Sequence, residues 1–457
     1  MKKIAVIFML LLLVSGSKAQ LNRDYLQEYI RLGLGKNLDL QSSKEVLNTY
    51  DAKVSQAVAN FLPKVDINAR YTRAGGGRSF EFPLGSMLNP IYAALNFDVR
   101  LDDLLVSFMR SKEHDTKVEL IQPIFNWAVL QGYRAQNNMF KSASYEYDAK
   151  TFATVFAIKE AYYNYAKTVM LVDVQTSGLK LAEENLEVTK KLYRVDRAPK
   201  SDVSRAEVLF ASSQQALYNA NNMLALAKSS FNNILNRGLE TEINFTPLNF
   251  SELEKFENSD ELSTNLSLEN SYETAITNRP ELKQMHYALK SVENVKSLNY
   301  NDFLPSLTLV ADYGFQGEEY KFDKEAEYWM VSGVLSWNIF SGLGSKAKLE
   351  EAQAQINSIQ KNEERVKNLI LLDVKNNYMS LKSLKEELSV ARKRVLSAEE
   401  SYTDVKKSYD VGMVPLIQLI DAQTSLDAAR ANYVVTFYST LTQKANFEKS
   451  IGLAESY

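Results

Sequence analysis

One pattern occurs twice in this chain. Phe61-Leu62-Pro63, followed by Lys64-Val65-Asp66-Ile67-Asn68-Ala69-Arg70-Tyr71, returns 242 positions later as Phe303-Leu304-Pro305 followed by Ser306-Leu307-Thr308-Leu309-Val310-Ala311-Asp312-Tyr313. Each copy closes a long polar helical stretch and leads into an alternating segment. Gln122-Pro123-Ile124-Phe125 then matches Trp337-Asn338-Ile339-Phe340, and Tyr193-Arg194-Val195 through Pro199 matches Tyr409-Asp410-Val411 through Pro415. Repetition on this scale marks a tandem duplication, so two equivalent halves must build one structure. The order in each half is helix, strand, strand, helix, helix.

The alternating segments read as strands. Val65, Ile67, Ala69 and Tyr71 share one side, with Lys64, Asp66, Asn68 and Arg70 opposite. Leu307, Leu309, Ala311, Tyr313 and Phe315 repeat the apolar side, and Ser306, Thr308, Asp312 and Gly314 the polar one, with Val310 the exception. A soluble sandwich strand would look the same. Three facts favour a membrane. The four expected strands, 64–73, 117–125, 306–315 and 329–339, each come to roughly the 9–11 residues that cross a bilayer when tilted. Aromatic residues cluster at their ends: Phe61, Phe303, Phe125, Trp127 and Phe340 on the helix side, and Tyr71, Tyr313, Phe315, Tyr328 and Trp329 on the other. Four strands cannot close a barrel and lipid tolerates no open edge, so a membrane reading demands several copies.

Long helices follow each strand pair. Trp127 to Leu192 contains no proline and one mid-run glycine, Gly178; as one helix it would reach roughly 100 Å. Gly342 to Lys407 repeats that length. The helix returning from the first carries Val203, Ala206, Phe210, Ser213, Leu217, Ala220, Leu224, Ala227, Phe231 and Ile234 at unbroken 3,4 spacing, a coiled-coil seam alternating small and large residues. In the second copy the seam Leu419, Ala422, Leu426, Ala429 and Tyr433 moves sideways to Val434, Phe437 and Leu441.

Residues 20–236 form the first repeat and 264–457 the second. Between them 237–263, with Gly238, Pro247 and the run Ser251-Glu252-Leu253-Glu254-Lys255, reads as an irregular linker lying as a belt outside the helices. The first repeat carries an insertion, 74–116, opening with Gly75-Gly76-Gly77 and offering Leu101, Leu104, Leu105 and Phe108 at helical spacing. It is expected either to fold over its neighbours as a surface loop or to constrict the outer mouth and meet a partner.

Residues 1–19 have the form of a secretory signal: Lys2 and Lys3, an apolar run from Ile4 to Val14 too short to span, and Ser17-Lys18-Ala19 before Gln20. No cysteine stands at that point, so no lipid anchor is expected there. The chain has no cysteine at all, and its stability must come from packing and assembly. A formal charge of −3, or −6 without Lys2, Lys3 and Lys18, and the lack of a basic patch with interleaved aromatics give no sign of a nucleic-acid partner. With two histidines, His114 and His286, in unrelated contexts, no cofactor or soft-metal site is expected. There is no phosphate-binding glycine loop and no nucleophile motif, so no enzyme activity is expected.

The ordered set of motifs resembles the TolC-like outer membrane factor, or outer membrane efflux protein, family over about Leu21 to Gly452. Its strongest local piece is Tyr409-Asp410-Val411-Gly412-Met413-Val414-Pro415-Leu416-Ile417-Gln418-Leu419-Ile420-Asp421-Ala422-Gln423. The resemblance implies a mainly α membrane fold with β structure, in which three chains give four strands each to one 12-stranded β-barrel. A long α-helical coiled-coil barrel continues it through the periplasm. It implies an exit duct in the cell outer membrane for a tripartite efflux pump or type I secretion system, a homotrimer in outer-membrane lipid with a periplasmic adaptor (membrane fusion protein) and an inner-membrane transporter as partners.

The resemblance also implies a gating ring at the helix tips, carried onto Asp202, Tyr409 and Asp421. Val414 stands where an arginine can occur and Gln418 where a second aspartate can occur, and a valine cannot make the charge-assisted bonds by which an arginine would latch a neighbouring helix. Asp202 at a helix start has a second reading, stabilisation of the N-terminus, and Tyr409 a second reading as a packing residue. The breaks at Asp196 to Pro199, including Arg197, Ala198 and Pro199, and at Gly412, Met413 and Pro415 mark the turns expected to dock the adaptor. The rival readings are a structural trimeric coiled-coil protein, a periplasmic adaptor, and a secreted enzyme. An adaptor would carry one helical hairpin, without strands between duplicated long helices.

Overall fold

The structure, a computed structural model, describes residues 18–108, 110–257 and 266–453. The expected signal segment lies outside the described residues except for Lys18 and Ala19, which already belong to a helix; 258–263 of the expected linker also lie outside them. The described residues form two compact units, one drawn from 18–49, 140–257, 266–288 and 359–453, the other from 50–108, 110–139 and 289–358.

The second unit holds the sheet. Helix α2 (Leu38–Ala59) ends before Phe61-Leu62-Pro63 and strand β1 (Lys64–Arg73) follows. After the insertion come β4 (Lys112–Phe125) and the start of α4 (Trp127–Arg194). In the second repeat α8 (Pro280–Asn299) and one 3₁₀ turn (Tyr300–Phe303) lead into β5 (Ser306–Gly317), and β6 (Glu327–Ser336) into α9 (Gly344–Asp410). Proline explains the switch from helix to strand: it biases the preceding residue to extended backbone, and Leu304 before Pro305 has φ −111 and ψ 148. The four strands lie in the order β1-β4-β5-β6, all antiparallel, which leaves one side of β1 and one side of β6 unpaired within the chain.

The strand limits differ from the expected ones. β4 begins at Lys112 because Lys112 to Thr116 continue the ladder opposite Arg73 to Ala69. β6 stops at Ser336; Trp337 turns away and its indole donates to the Phe303 carbonyl at 3.2 Å.

Within the insertion, β2 (Ser79–Phe82) pairs antiparallel with β3 (Leu104–Ser107), and helix α3 (Leu84–Ala94) lies between them in sequence. The helical spacing read at Leu101, Leu104, Leu105 and Phe108 is therefore corrected: Leu104 and Leu105 lie in strand β3, and Leu101 and Phe108 flank it outside any helix. The Asn89 side chain bonds both backbone groups of Leu101, at 2.8 Å each, and holds the approach to β3 extended.

The first unit is helical. It contains α1 (Lys18–Lys36), most of α4, α5 (Lys200–Ile234), α6 (Phe250–Glu257), α7 (Leu268–Asn278), most of α9, and α10 (Leu416–Ser450). The duplication reaches element lengths: α4 and α9 have 68 and 67 residues, α5 and α10 have 35 each. The α5 seam is buried or half-buried at every position from Val203 to Ile234, and its small members Ala206, Ala220 and Ala227 are the most enclosed along with Phe231. Small residues there let neighbouring helices approach closely. Phe231 meets Tyr29 of α1 edge-to-face, centroids 5.1 Å apart; burying such a ring contributes about 1.5–3 kcal/mol.

The linker is anchored through apolar side chains. Ile243 joins the cluster around Phe231 and Ile158, while Leu248 and Leu253 join that of Met170, Leu388, Tyr433 and Phe437. It is not irregular throughout, since Phe250, Leu253 and Phe256 recur at helical spacing and α6 forms there. On α10 both the first seam and its shifted continuation are enclosed, because Tyr433, Val434, Phe437 and Tyr438 meet neighbours on adjacent sides.

Ala227→Asp would bury an unpaired carboxylate, which costs several kcal/mol. Folded protein recovered from membranes should fall to a small fraction of wild type, whereas Gln214→Asp, on the exposed face of α5, should match wild type on the same gel.

Candidate channel wall and tip turns

Strand register sorts the sheet into two faces. On one lie Lys64, Asp66, Asn68 and Arg70 of β1, then Glu113, Asp115, Lys117 and Glu119 of β4, and Asp312 and Gln316 of β5. On the other lie Val65, Ile67, Ala69 and Tyr71, then Val118 and Leu120, then Ala311, Tyr313 and Phe315, then Trp329 and Val331. Ile67 is 77% exposed and Trp329 75%. An apolar face this open requires a covering, and alternate residues on the opposite face require water.

The polar face is a bonded network. The Lys117 ammonium donates to Glu119 at 2.6 Å and to Asp312 at 3.1 Å, Asn68 donates to Glu119 at 3.3 Å, and Gln316 donates to Glu113 at 3.1 Å. The Tyr328 hydroxyl donates to Asp115 at 3.0 Å. From β1 alone this face looks balanced in charge. The register adds Glu113, Asp115, Glu119 and Asp312 against only Lys117, so carboxylates exceed bases by five to three. At the opposite end from the helices the β5–β6 loop folds onto the apolar face, where Tyr320 covers the fully buried His114 at a ring distance of 4.6 Å.

The two expected tip turns share one geometry. Asp196 and Gly412 both take left-handed backbone, φ +57 and +79. The next amide, of Arg197 or Met413, reaches back to the carbonyl of Leu192 or Ser408 at 2.8 and 2.9 Å. Two residues further on, Pro199 and Pro415 cap the returning helices with ψ 157 in both. This closes the last turn of each long helix through its own carbonyls, and proline then starts the return. Ala198 and Pro415 are exposed or half-buried, and Met413 is 81% exposed.

In one chain the candidate gating residues form no single ring: Tyr409 and Val414 share one packed cluster, Asp202 is close enough to act on the Tyr409 phenol, and Gln418 and Asp421 are exposed. Asp202 lies in the first turn of α5, its amide bonded to the Pro199 carbonyl and its carboxylate 3.7 Å from Arg205. Asp421 and Gln418 are exposed on α10, and Val414 packs against the cluster of Leu186, Tyr402, Leu416 and Leu419. Tyr409 is buried in that cluster, where burial raises its phenol above the usual range and its hydroxyl meets that of Thr189 at 3.1 Å.

A second polar ladder between α4 and α10 has no signature in the sequence. Asn185 donates to the Gln423 side-chain oxygen at 2.6 Å, and Gln423 donates to the Gly178 carbonyl at 3.0 Å. Beside it Asp427 sits so close to Gly178 that a Cβ there would stand 2.9 Å from a carboxylate oxygen. Burial pushes this carboxyl up to about 6. Arg430 offsets only part of that, since its guanidinium is held by Glu399 at 2.6 Å.

Among the described residues no helix is long and apolar enough to cross a membrane, and no cluster of three His, Cys, Asp or Glu could hold a metal. A four-stranded sheet with one polar and one apolar face and two open edges, continued by duplicated long helices, defines the subunit of a β-barrel membrane channel. The family model for outer membrane efflux protein matches residues 29–237 and 271–453, and the chain belongs to that family. The periplasmic-adaptor reading gives way to it.

Over 302 residues the chain is 21% identical to the probable efflux pump outer membrane protein TtgC of Pseudomonas putida, covering 66% of this chain and 60% of that protein. It is 19% identical to outer membrane protein TolC of Escherichia coli, covering 99% and 87%. The solved CmeC outer membrane channel of Campylobacter jejuni shares the fold at a TM-score of 0.77 and 16% identity, covering 96% and 89%.

Two outcomes follow. The folded state holds the Asp427 proton more tightly than the unfolded chain, whose aspartates titrate near about 3.9. Its contribution to stability is present below about pH 4 and is lost as pH rises through about 6. Thermal unfolding between pH 4 and 7 should show wild type losing stability relative to Asp427→Asn across that window. At the turns, Gly412→Val forces a branched residue into left-handed backbone and should cost about 1–2 kcal/mol. Asp196→Gly should cost nothing or stabilise slightly, as read by protease sensitivity of the turn.

Proposed function

We propose that this chain is one of three identical subunits of a passive exit duct, serving a tripartite efflux pump or a type I secretion system. The observation that carries the reading is the sheet with two unpaired edges and two chemically opposite faces. Lipid excludes unpaired backbone, so β1 of one copy must meet β6 of the next until the ring closes. Three copies give twelve strands, with the Lys117–Glu119–Asp312 face toward water and the Ile67–Trp329 face toward outer-membrane lipid. The chain supplies a wall and no chemistry; a periplasmic adaptor and an inner-membrane transporter supply the cargo and the energy. Residues 1–19 direct export and are removed, and 20–236 and 264–457 are the two repeats joined by the belt 237–263.

The tips are the docking and gating end. Exposed Val195, Val411 and Met413 flank Arg197, Ala198, Pro199, Gly412 and Pro415 and offer an apolar surface for adaptor helices. Asp202, Gln418 and Asp421 lie within the first two turns of the returning helices, where three copies gather carboxylates about one axis and attract cations. With Val414 packed inward and Tyr409 bonded to Thr189 in its own chain, closure rests on packing and these carboxylates.

The test is conductance in planar bilayers. Purified protein should form channels that prefer cations, and Asp202→Asn with Asp421→Asn should weaken divalent-cation block while leaving the trimer intact. Cysteine at Asn68 should react with an aqueous thiol reagent and cysteine at Ile67 should not. Equal labelling of both would remove the barrel assignment.

A further inference from the structure

We infer that residues 79–108 form a clasp that packs on a neighbouring copy of this chain at the outer rim of the barrel. This rests on the multi-copy barrel proposed above. In the ribbon of β2 and β3, Phe80 faces Val106 and Phe82 faces Leu104, so all four side chains share one side, and all are more than two-fifths exposed. Met87, Ile91 and Leu95 make a second exposed apolar stripe along α3 and past its end, and α3 carries no charged residue. An apolar surface this dense marks an interaction site.

The segment is already shaped for a partner. The Ser86 amide and hydroxyl bond the Asp103 carboxylate at 2.8 and 2.7 Å, and Asn89 clamps Leu101. Gly85 lies so close to the Leu101 carbonyl that no side chain would fit there. The apolar side chains therefore remain outside by construction, with the module's polar bonds satisfied within.

Lipid is the wrong occupant. Phe97 and Val99 sit on backbone without regular structure, between Asp98, Arg100, Asp102 and Asp103, and lipid-exposed irregular backbone is excluded from hydrocarbon. A protein surface can bond those groups. The nearest protein surface follows from topology. The segment grows directly out of β1, with the Ala74 amide bonded to the Ser111 carbonyl at 3.0 Å just beyond the β1–β4 ladder. β1 is the edge that must pair with the next copy, so the insertion emerges at the seam between copies.

The experiment uses the full chain in outer membranes, with a photoreactive benzophenone side chain placed at Met87 or at Val106. Illumination should join chain to chain, giving bands of two and three chain masses on denaturing gels. Replacing 79–107 with a short glycine-serine link should lower the temperature at which trimers fall to monomers by about 5 °C or more. The mass of the solubilised protein, measured separately, reports the trimer itself. Trimeric mass with crosslinks to lipid, to another protein, or to nothing would overturn the clasp and leave the barrel standing. Monomeric mass in mild detergent would overturn the barrel.

Discussion

Every backbone amide and carbonyl of a strand placed in hydrocarbon must find a partner, and this chain cannot provide them all. Its sheet has four strands and two open edges. All else follows from that shortage. In the proposed duct the edges force assembly, assembly encloses the face of Lys117, Glu119 and Asp312, and enclosure makes a wet passage of a surface that would be an ordinary charged patch on a monomer. Without cysteines to staple it, the assembly depends on pairing and packing alone.

In the helical unit the same problem is solved with helices. A helix satisfies its own backbone, so its demands are on side chains: a seam narrow enough for close approach and a few polar links to fix the register. The alanines of α5 answer the first demand. Asn185, Gln423 and the Gly178 carbonyl answer the second. Asp427 is the costly member of that contact. It is set against a glycine, and Arg430, the cation that acts on it, is already committed to Glu399.

Much of this could be read from the sequence because the signals are local. Proline after Phe-Leu, alternation along β1 and β5, the 3,4 spacing of α5 and the paired turns at Asp196 and Gly412 need no knowledge of what they touch. What escaped depends on pairing between distant segments. The acid excess of the polar face appears only when Glu113 and Asp115 are placed in register with Thr72 and Arg70. The closeness of Asp427 to Gly178 joins residues almost 250 positions apart. In the insertion, short apolar runs fit a strand or a helix equally, and the bond from Asn89 to Leu101 decided between them. Helix α6 was legible at Phe250, Leu253 and Phe256, though its flanking glycine and proline hid it.

The matched lengths of the long helices, 68 against 67 residues and 35 against 35, restrict how such a chain can change. A residue gained in one helix rotates every later side chain by about 100° and advances it about 1.5 Å, so the seam opens unless its neighbours gain as well. Viable changes in length are therefore whole heptads, inserted together into four separate stretches of one gene. Single-stretch insertions are confined to connections whose length sets the register of no neighbouring helix or strand, and the segment after β1 is one of them.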